Sequence, residues 1–478
     1  MVSGGLFLSQ VLLKDWLILF GSISIRKEHL RRYKGMNDDI ICAIATSRLE
    51  AAISIIRVSG KGCIDFVQSF FTGNLNKKSQ TISYGYIVDG EEKVDEVLIS
   101  LYRGQHTFTG EEMVEINCHG GVFITNKVLS LCLKKGARMA EHGEFSKRAF
   151  LNGRIDLSQA EAISDLITAN NDQAAKLALK GIQGNITNFI KDLKEDLIKI
   201  ITQIEVNIDY PEYEDIEELT AEKLLPGSVS LRKKMDDILD RSKNMHLIKD
   251  GISTVIVGKP NVGKSSLLNA LLEEDKAIVT DIAGTTRDVV EGSIRLNDIV
   301  LNMIDTAGIR ETEDKIEHMG VKKSLSLIDQ ADLVLVVLDG SRPIEAEDKE
   351  LLERTEGLNR IVLINKSDKG CVIDTAGIHI SAKENHIDEL IQHIKDEFDF
   401  SAITNSQAQV LANQRQVQLL EKASQSLNIA IQAMEDDIPT DLIVTDLYDS
   451  WENLKEILGE QAKEDLLDEL FKRFCIGK

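Results

Sequence analysis

The chain has 478 residues, of which 43% are hydrophobic and only 5 are proline, so it can bury the cores of two or three domains. Its formal net charge of −22 argues against non-specific wrapping of nucleic acid, because that binding relies on lysine and arginine neutralising phosphates. The six cysteines show no paired or metal-ligand spacing, which argues against a disulfide or zinc framework and indicates reduced thiols.

The first 35 residues differ in texture from the rest of the chain. The segment from Leu6 to Ile25 is fairly apolar, but Lys14 and Asp15 interrupt it and no basic region precedes it. It is therefore predicted to be neither a signal peptide nor a membrane span. Because Met36 is a natural start, we interpret residues 1–35 as a non-native or disordered extension; a peripheral helix is the alternative.

Residues 36–155 are rich in short β-type runs separated by turns. The predicted strands are residues 53–58, 84–88, 94–102 and 113–118. One or two helices lie among them, and this mixture predicts a compact N-terminal α+β domain over residues 36–155.

Two later segments, residues 156–250 and 399–478, have the periodicity of helices. Their apolar residues recur at helical spacing, as in the sets Leu193, Leu197, Ile200, Ile204 and Val417, Leu420, Leu427, Ile431, Met434. Each apolar stripe needs a partner, and the intervening residues 251–398 look self-contained. We therefore predict one helical bundle, made by both segments, with a separate domain inserted in it.

The inserted region opens with a phosphate-binding loop. Residues 258–265 read Gly-Lys-Pro-Asn-Val-Gly-Lys-Ser and fit the pattern G-x-x-x-x-G-K-[ST], between an apolar strand (253–257) and a helix-like stretch (266–272). Backbone N–H groups would surround the phosphates, Lys264 would supply charge and Ser265 a Mg²⁺ ligand. The predicted nucleotide contacts here are Asn261, Val262, Gly263, Lys264, Ser265 and Ser266.

Two further segments fit the γ-phosphate and Mg²⁺ side of such a site. Asp305, at the end of a buried strand (300–304), would face Mg²⁺, and the N–H of Gly308 would face the γ-phosphate. Residues 284–288 fit a first switch, in which Thr286 is the second hydroxyl ligand of Mg²⁺. The predicted contacts are Thr280, Asp281, Ile282, Ala283, Gly284, Thr285, Thr286, Asp305, Thr306, Ala307 and Gly308.

The base is predicted to be guanine. Asn365, Lys366 and Asp368 follow the strand 361–364, and the Asp368 carboxylate can accept from both N1–H and the 2-amino group, which adenine lacks. The loop Ser381, Ala382 and Lys383 fits a segment that packs on the guanine. Five motifs in this order predict a Ras-like, doubly wound GTPase domain over residues 251–398.

The site lacks the usual hydrolytic glutamine. Ile309 follows Gly308 where Ras-type GTPases carry that residue, and no arginine finger is evident. Asn261 and the segment 280–285 resemble the potassium-activated GTPases. This resemblance implies a K⁺ ion held by the Asn261 side chain and by backbone carbonyls; an ordinary turn residue is the alternative for Asn261. The carbonyls would be those of Thr280, Ile282 and Thr285.

Three stretches resemble one family over nearly the whole chain. They are residues 111–121 (EEMVEINCHGG), residues 143–162 (GEFSKRAFLNGRIDLSQAEA) and the terminal 474–478 (FCIGK). With the inserted GTPase region, they are similar to the MnmE family, also called TrmE, from about Asp39 onward. The resemblance implies a cytoplasmic homodimer, with no membrane association, whose N-terminal domains bind 5-formyl- or methylene-tetrahydrofolate.

The resemblance also implies a reaction and a partner. Together with the FAD-dependent protein MnmG (GidA), in a heterotetramer, such a chain would modify certain tRNAs. It would add a carboxymethylaminomethyl or aminomethyl group to C5 of the wobble uridine, U34, using the folate one-carbon unit. FAD would enter only through the partner.

Individual roles follow from the same resemblance. Arg57, Glu115, Arg154 and Lys478 would contact the folate, with an ordinary surface charge as the alternative for each. Glu317 would position or polarise the hydrolytic water. Cys475 is either a nucleophile toward C6 of the uridine or a structural thiol, and the sequence leaves both open.

The alternative function is a GTP-controlled RNA-binding switch in ribosome assembly, of the Era or Der kind. Such proteins share the five GTPase motifs but carry a KH-type RNA domain or a second GTPase domain. The sequence shows neither a second phosphate loop nor a G-x-x-G clamp in a basic setting, which favours the tRNA-modifying interpretation.

Overall fold

The computed structural model describes residues 39–209, 221–274, 290–304, 328–401, 404 and 409–477. The described residues of Met1–Ser164, Gly181–Leu231 and Lys422–Lys478 form one compact unit. Those of Asp165–Lys180 and Arg232–Glu421 form a second one. The extension 1–35 lies outside the described residues.

The first unit contains a six-stranded sheet. Its strands are β1 (Ile41–Ile44), β2 (Ile53–Ser59), β3 (Thr81–Asp89), β4 (Glu92–Tyr102), β5 (Met113–His119) and β6 (Arg138–Met139). The order is β3-β4-β5-β2-β1-β6, and neighbours are antiparallel except for the parallel pair β1 and β6. The helices beside it are α1 (Cys63–Gln68), α2 (Val122–Lys135) and α3 (Glu144–Leu151). The four predicted strands are confirmed, each slightly longer than expected; β1 was missed because four residues show too little periodicity.

Alternation along the strands gives this sheet two different faces. Ile56, Ile99 and Ile116 lie on the covered face and are fully buried, each stabilising the fold by about 1.5–3 kcal/mol. The other face carries Arg57 and Glu115, which are cross-strand partners in the pairing of β2 with β5. A one-residue shift of register would reverse the two faces, so the apolar pattern fixes where the polar residues lie.

Helices follow the first sheet as predicted. They are α4 (Leu157–Thr168), α5 (Asp172–Ile182), α6 (Asn185–Asp209), α7 (Ala221–Ser242) and α8 (Met245–Asp250). The predicted stripe of α6 is buried, with Leu193 and Leu197 at most 1% exposed. This stripe confirms the helical periodicity read from the sequence.

The second sheet belongs to the second unit and is mostly parallel. Its elements are β7 (Ile252–Val257), α9 (Lys264–Glu274), β8 (Val290–Leu296), β9 (Ile299–Ile304), β10 (Leu333–Asp339), α10 (Ala346–Arg354), β11 (Arg360–Asn365), β12 (Ile378–His379) and α11 (Asp388–Glu397). The strand order is β12-β11-β10-β7-β9-β8, and only β8 runs antiparallel to its neighbour. The strands predicted at 253–257, 300–304 and 361–364 are confirmed.

The strand order changes direction at β7, which makes this strand the topological switch point of the sheet. Its neighbours β9 and β10 both come later in the chain, one on each side. Parallel α/β sheets bind ligands at the carboxyl ends of their strands beside such a point. The fold therefore places the loop after β7, which is the phosphate-binding pattern, at the expected ligand position.

The last helices return to the first unit. They are α12 (Gln414–Glu435), whose second half lies in that unit, α13 (Thr440–Ile457) and α14 (Glu464–Lys472). The Tyr448 hydroxyl donates to Glu205 Oε1 at 2.5 Å, and Lys194 Nζ lies 2.6 Å from Glu460 Oε2. These contacts join α6 to α13 and to the turn that follows it, so the predicted packing of the two helical segments is confirmed. Among the helices described, none is both long and apolar enough to cross a bilayer.

Candidate functional site

The phosphate-binding pattern forms a tight loop between β7 and α9. Asn261 has φ 61° and Gly263 has φ 103°, so the loop bends through the left-handed region in two places. A Cβ on Gly263 would lie 2.2 Å from Asn365 Nδ2. Glycine is thus required there both by the backbone angle and by the close approach of another motif.

The loop lysine is held over its own loop. Lys264 Nζ donates hydrogen bonds to the carbonyl oxygens of Gly258 and Lys259, both at 2.8 Å. Ser265 and Ser266 are exposed in the first turn of α9, while Val262 is buried. The ammonium group and the amino end of α9 together create a local positive potential suited to phosphates.

Asn365 connects three of the predicted motifs. Its Nδ2 donates to the Val262 carbonyl oxygen at 2.7 Å, and its Oδ1 accepts from the Ala382 N–H at 3.0 Å. The residue is 3% exposed, so both bonds are made away from water. Because each partner would cost about 1–3 kcal/mol if left unsatisfied, Asn365 holds the phosphate loop and the 381–383 loop together.

The residues predicted to recognise the base lie beside this junction. Asp368 is exposed, and its Oδ1 accepts a hydrogen bond from the buried Ser381 hydroxyl at 2.8 Å. Lys366 takes a left-handed conformation, φ 67°, and Lys383 is exposed on the neighbouring loop. A carboxylate oriented in this way can accept the paired N–H donors of a guanine ring.

Several predicted nucleotide and metal residues lie outside the described part of the chain. These are Thr280, Asp281, Ile282, Ala283, Gly284, Thr285, Thr286, Asp305, Thr306, Ala307, Gly308 and Glu317.

Sequence reasoning did not single out Asp339, the last residue of β10. Its side chain accepts a hydrogen bond from Lys366 Nζ at 2.7 Å. The sequence does contain a usable signal, because residues 333–338 form a buried apolar run and the acidic Asp339 follows it directly. The same pattern drew attention to the run 300–304 that precedes Asp305.

The first sheet brings together two of the four residues predicted to contact folate. Arg57 Nε and Nη2 donate to Glu115 Oε1 at 3.0 and 2.8 Å, and Glu115 Oε2 accepts from the Tyr102 hydroxyl at 3.3 Å. Burial and the Glu115 carboxylate raise the pKa of Tyr102. The Arg57 guanidinium also lies over the Phe108 ring, 5.4 Å from its centroid. The result is a half-buried charged pair lined by aromatic groups.

Arg154 joins the same neighbourhood through a loop. Its Nε donates to the Thr107 carbonyl oxygen at 3.3 Å, and Thr107 precedes the Phe108 that packs on Arg57. Asn152 Nδ2 donates to the Thr109 carbonyl oxygen at 2.8 Å. The segment after α3 therefore fixes the loop that lines the Arg57 pair.

The C-terminal tail reaches this region as well. Arg57 Nη1 donates to the Gly477 carbonyl oxygen at 2.9 Å. Gly477 has φ 91°, and a Cβ there would lie 2.5 Å from the Ile44 carbonyl oxygen. Cys475 is exposed and its carbonyl oxygen accepts from the Gly143 N–H at 3.4 Å, whereas Lys478 lies outside the described residues.

Comparison with known proteins gives two family matches. The model described as "GTP-binding protein TrmE N-terminus" matches residues 40–154, and the model described as "MnmE helical domain" matches residues 157–475. The second match spans more than half of the chain.

Relatives align along almost their full length. The tRNA modification GTPase MnmE of Ligilactobacillus salivarius is 46% identical over 456 residues, covering 92% of this chain and 98% of that protein. The protein of the same name from Bacillus pumilus is 44% identical over 458 residues, covering 92% and 100%. Among solved structures, an Aquifex aeolicus Era variant bound to GDP and aluminium fluoride is 27% identical, covering 37% of this chain and 66% of that chain, with a TM-score of 0.24.

Sequence identity and family matches agree along the chain. The N-terminal match contains the Arg57 and Glu115 pair, and the second contains the phosphate loop and the guanine motif. The chain belongs to the MnmE (TrmE) family of tRNA modification GTPases.

Proposed function

We propose that this GTPase acts with an FAD-dependent partner, MnmG, to modify C5 of the wobble uridine, U34, of certain tRNAs. The group added is carboxymethylaminomethyl or aminomethyl, and its one-carbon unit comes from tetrahydrofolate. The observation that carries the proposal is the 46% identity to a tRNA modification GTPase over 92% of the chain. GTP binding and hydrolysis would control the modification reaction.

Mg²⁺ is the proposed metal at the phosphates, with Ser265 and Thr286 as its protein ligands. Ser265 fits this role because it is exposed in the first turn of α9, directly after the phosphate-binding Lys264. A bound Mg²⁺ would neutralise charge on the β- and γ-phosphates.

K⁺ is the proposed second cation. Asn261 would hold it with its side chain, together with the carbonyls of Thr280, Ile282 and Thr285. The exposure of Asn261 in the phosphate loop supports this role. An amide with a purely structural role would instead be buried. Glu317 is proposed to position the attacking water.

The folate donor, 5-formyl- or methylene-tetrahydrofolate, is proposed to bind at Arg57, Glu115, Arg154 and Lys478. A pterin ring is flat and carries N–H donors, so a carboxylate beside Phe108 is a suitable partner. Glu115 Oε1 already accepts two N–H groups from Arg57. Oε2 accepts one hydrogen bond, from the Tyr102 hydroxyl at 3.3 Å, and is therefore the oxygen with capacity for a ligand donor.

A homodimer through the first sheet is also proposed. Ile82, Tyr84 and Leu98 share the sheet face that carries Glu115 and are 63%, 59% and 48% exposed. Large apolar side chains clustered on an exposed face favour a protein interface.

Cys475 is proposed as the nucleophile toward uridine C6, with a structural thiol as the alternative. The residue is exposed, and structural thiols are usually buried. We place the reaction in the cytoplasm, where the tRNA substrate and the MnmG partner would form the working assembly.

The proposed function is tested by mass spectrometry of tRNA nucleosides from cells with and without this gene. The modified wobble uridine should disappear in the deletion strain and return with the wild-type gene. A Lys264→Ala gene should not restore it, because the phosphate loop loses its cation. Intact modification in the deletion strain, with altered ribosome profiles, would instead indicate a ribosome-assembly switch.

A further inference from the structure

Asp339 lies between the phosphate loop and the guanine motif. It ends β10, whose neighbours are β7 on one side and β11 on the other, and it pairs in register with Asn365. The residue is 9% exposed. A carboxylate this enclosed needs partners for both oxygens.

Both oxygens have such partners. Oδ2 accepts from Lys366 Nζ at 2.7 Å, while Oδ1 accepts from the Ser341 N–H at 3.0 Å and from the Ser341 hydroxyl at 2.6 Å. Burial raises the pKa of Asp339, but the bonds from Lys366 and Ser341 outweigh it and hold the pKa below its ordinary value. Asp339 is therefore charged at neutral pH.

We propose that Asp339 is a positioning residue for guanine recognition, which fixes Lys366 and thereby the short turn that presents Asp368 to the base. The inference rests on the proposed guanine site and adds to it a residue outside the motif. Its consequence is that selectivity for guanine depends on the end of β10 as well as on Asp368.

The backbone explains why Lys366 needs an anchor. Its φ of 67° is a left-handed conformation, which is unfavourable for a residue that carries a Cβ atom. The turn after it is short, because the Lys369 N–H donates to the Lys366 carbonyl oxygen at 3.0 Å. A shift of Lys366 would therefore move Asp368, which is two residues away.

The exposure of the charged side chains indicates which ion pair near the site can anchor a backbone segment. Lys259 of the phosphate loop pairs with Glu345 and Glu347, but those carboxylates are 55% and 71% exposed. Exposed ion pairs are screened by water and contribute little to holding a side chain in place. The Lys366 and Asp339 side chains are only 25% and 11% exposed, so their pair is the stronger anchor.

The test compares GDP with IDP, whose base lacks the 2-amino group that Asp368 would accept. Affinities are measured by isothermal titration calorimetry on the full chain. Asp339→Asn should lower GDP affinity about tenfold, because the hydrogen bond from Lys366 loses its charged acceptor. It should also lower the ratio of GDP to IDP affinity toward one. Wild-type affinities and an unchanged ratio would overturn the inference.

The matched control is Asp332→Asn. Asp332 directly precedes Leu333, the first residue of β10, whereas Asp339 is the last residue of that strand. Asp332 Oδ2 accepts from the Ser253 N–H at 2.9 Å, so this change also removes a charged acceptor from a backbone bond. GDP and IDP affinities should stay at wild-type values. If Asp332→Asn lowers the ratio as much as Asp339→Asn does, the effect is general loosening of the sheet and the inference fails.

A double-mutant cycle tests whether Asp339 acts through Lys366. In a Lys366→Met background, Asp339→Asn should cause no further loss, because its partner is already gone. Equal losses in both backgrounds would contradict positioning through Lys366.

If Asp339→Asn does not fold, Ser341→Ala replaces it. We expect this variant to lower GDP affinity about two- to threefold and to lower the ratio of GDP to IDP affinity. An unchanged ratio overturns the inference.

Asp368→Ala separates failure of the inference from failure of the proposed site. It should abolish the preference for GDP over IDP. If Asp368→Ala retains that preference, the guanine site itself is wrong and the inference falls with it. If Asp368→Ala loses the preference and Asp339→Asn keeps it, only the inference is wrong.

Discussion

At the residue scale, the candidate nucleotide site depends on a close approach between two segments of the chain. The amide of Asn365 lies against Gly263 and donates to the Val262 carbonyl oxygen, 103 residues away in the sequence, so two motifs share one packed junction. No side chain larger than hydrogen fits at Gly263 without moving this amide. The glycine of the pattern is therefore needed for this junction, in addition to its predicted role around the phosphates.

This packing makes Gly263→Ala a severe change. The added methyl would lie 2.2 Å from Asn365 Nδ2, on a backbone with φ 103°, so either the loop or the guanine motif must shift. We expect GDP affinity to fall more than tenfold in a fluorescent-nucleotide titration.

Gly357→Ala is the control, since Gly357 has φ 80° but no atom within 4 Å of the added methyl. It should lower the free energy of unfolding by about 1 kcal/mol and leave GDP affinity unchanged. Near-normal GDP affinity in Gly263→Ala would contradict the junction.

At the scale of elements, the loop from β7 to α9 combines two roles. Lys264 turns back over the loop carbonyls, while Asn261 is exposed. The end of the strand and the start of the helix form the proposed phosphate site, and the exposed Asn261 amide is the group proposed to bind a monovalent cation.

GTP turnover should therefore respond to the cation. We expect turnover at least tenfold faster in K⁺ than in Na⁺, because the larger ion would occupy the place of an arginine finger. A finger of that kind contributes a factor of 10³–10⁵ in other GTPases. Asn261→Ala should remove most of the difference.

Phosphate release in matched chloride salts measures this effect. The Asn297→Ala variant is the control, because Asn297 also has a positive φ, 56°, but lies in the turn between β8 and β9. It should keep the K⁺ dependence. Equal wild-type rates in the two salts would contradict the cation proposal.

Elements differed in how well the sequence predicted them. The buried runs that became β7, β9 and β11 were identified because a motif follows each one. β10 has the same apolar character, but no standard motif follows it, and Asp339 was missed for that reason. Periodicity and motifs identify helices and strands. The role of a residue outside any motif, such as Asp339, depends on which strands become neighbours.

At the scale of the whole molecule, the first sheet has an exposed apolar surface. Tyr84 and Leu98 are cross-strand partners on the face that also carries Glu115. A homodimer through this face would cover them and would place the proposed folate residues near the interface.

Leu98→Glu should therefore dissociate the homodimer. A charge buried in an interface without a partner costs several kcal/mol, enough to convert a dimer to monomers at micromolar concentration. Light scattering after size exclusion should give the monomer mass of 53.2 kDa in place of twice that value.

Leu358→Glu is the matched control, because Leu358 is 39% exposed and lies outside the first sheet. It should remain dimeric. A dimeric Leu98→Glu chain would contradict an interface on this face.

The amino-acid sequence by itself determined the fold class, and it predicted the guanine-nucleotide site. Both depend on contiguous signals: apolar runs with a fixed period, and motifs whose chemistry lies within a few residues. It also carried the family resemblance that the relatives confirm.

Only the tertiary structure decided which distant side chains meet. Arg57 contacts Glu115 through strand register and the Gly477 carbonyl through the returning C-terminal tail, 420 residues away. Asp339 reaches Lys366 because β10 lies beside β11. Such pairs are set by the order and register of strands, which follow from burial of the whole core and leave no local pattern in the sequence.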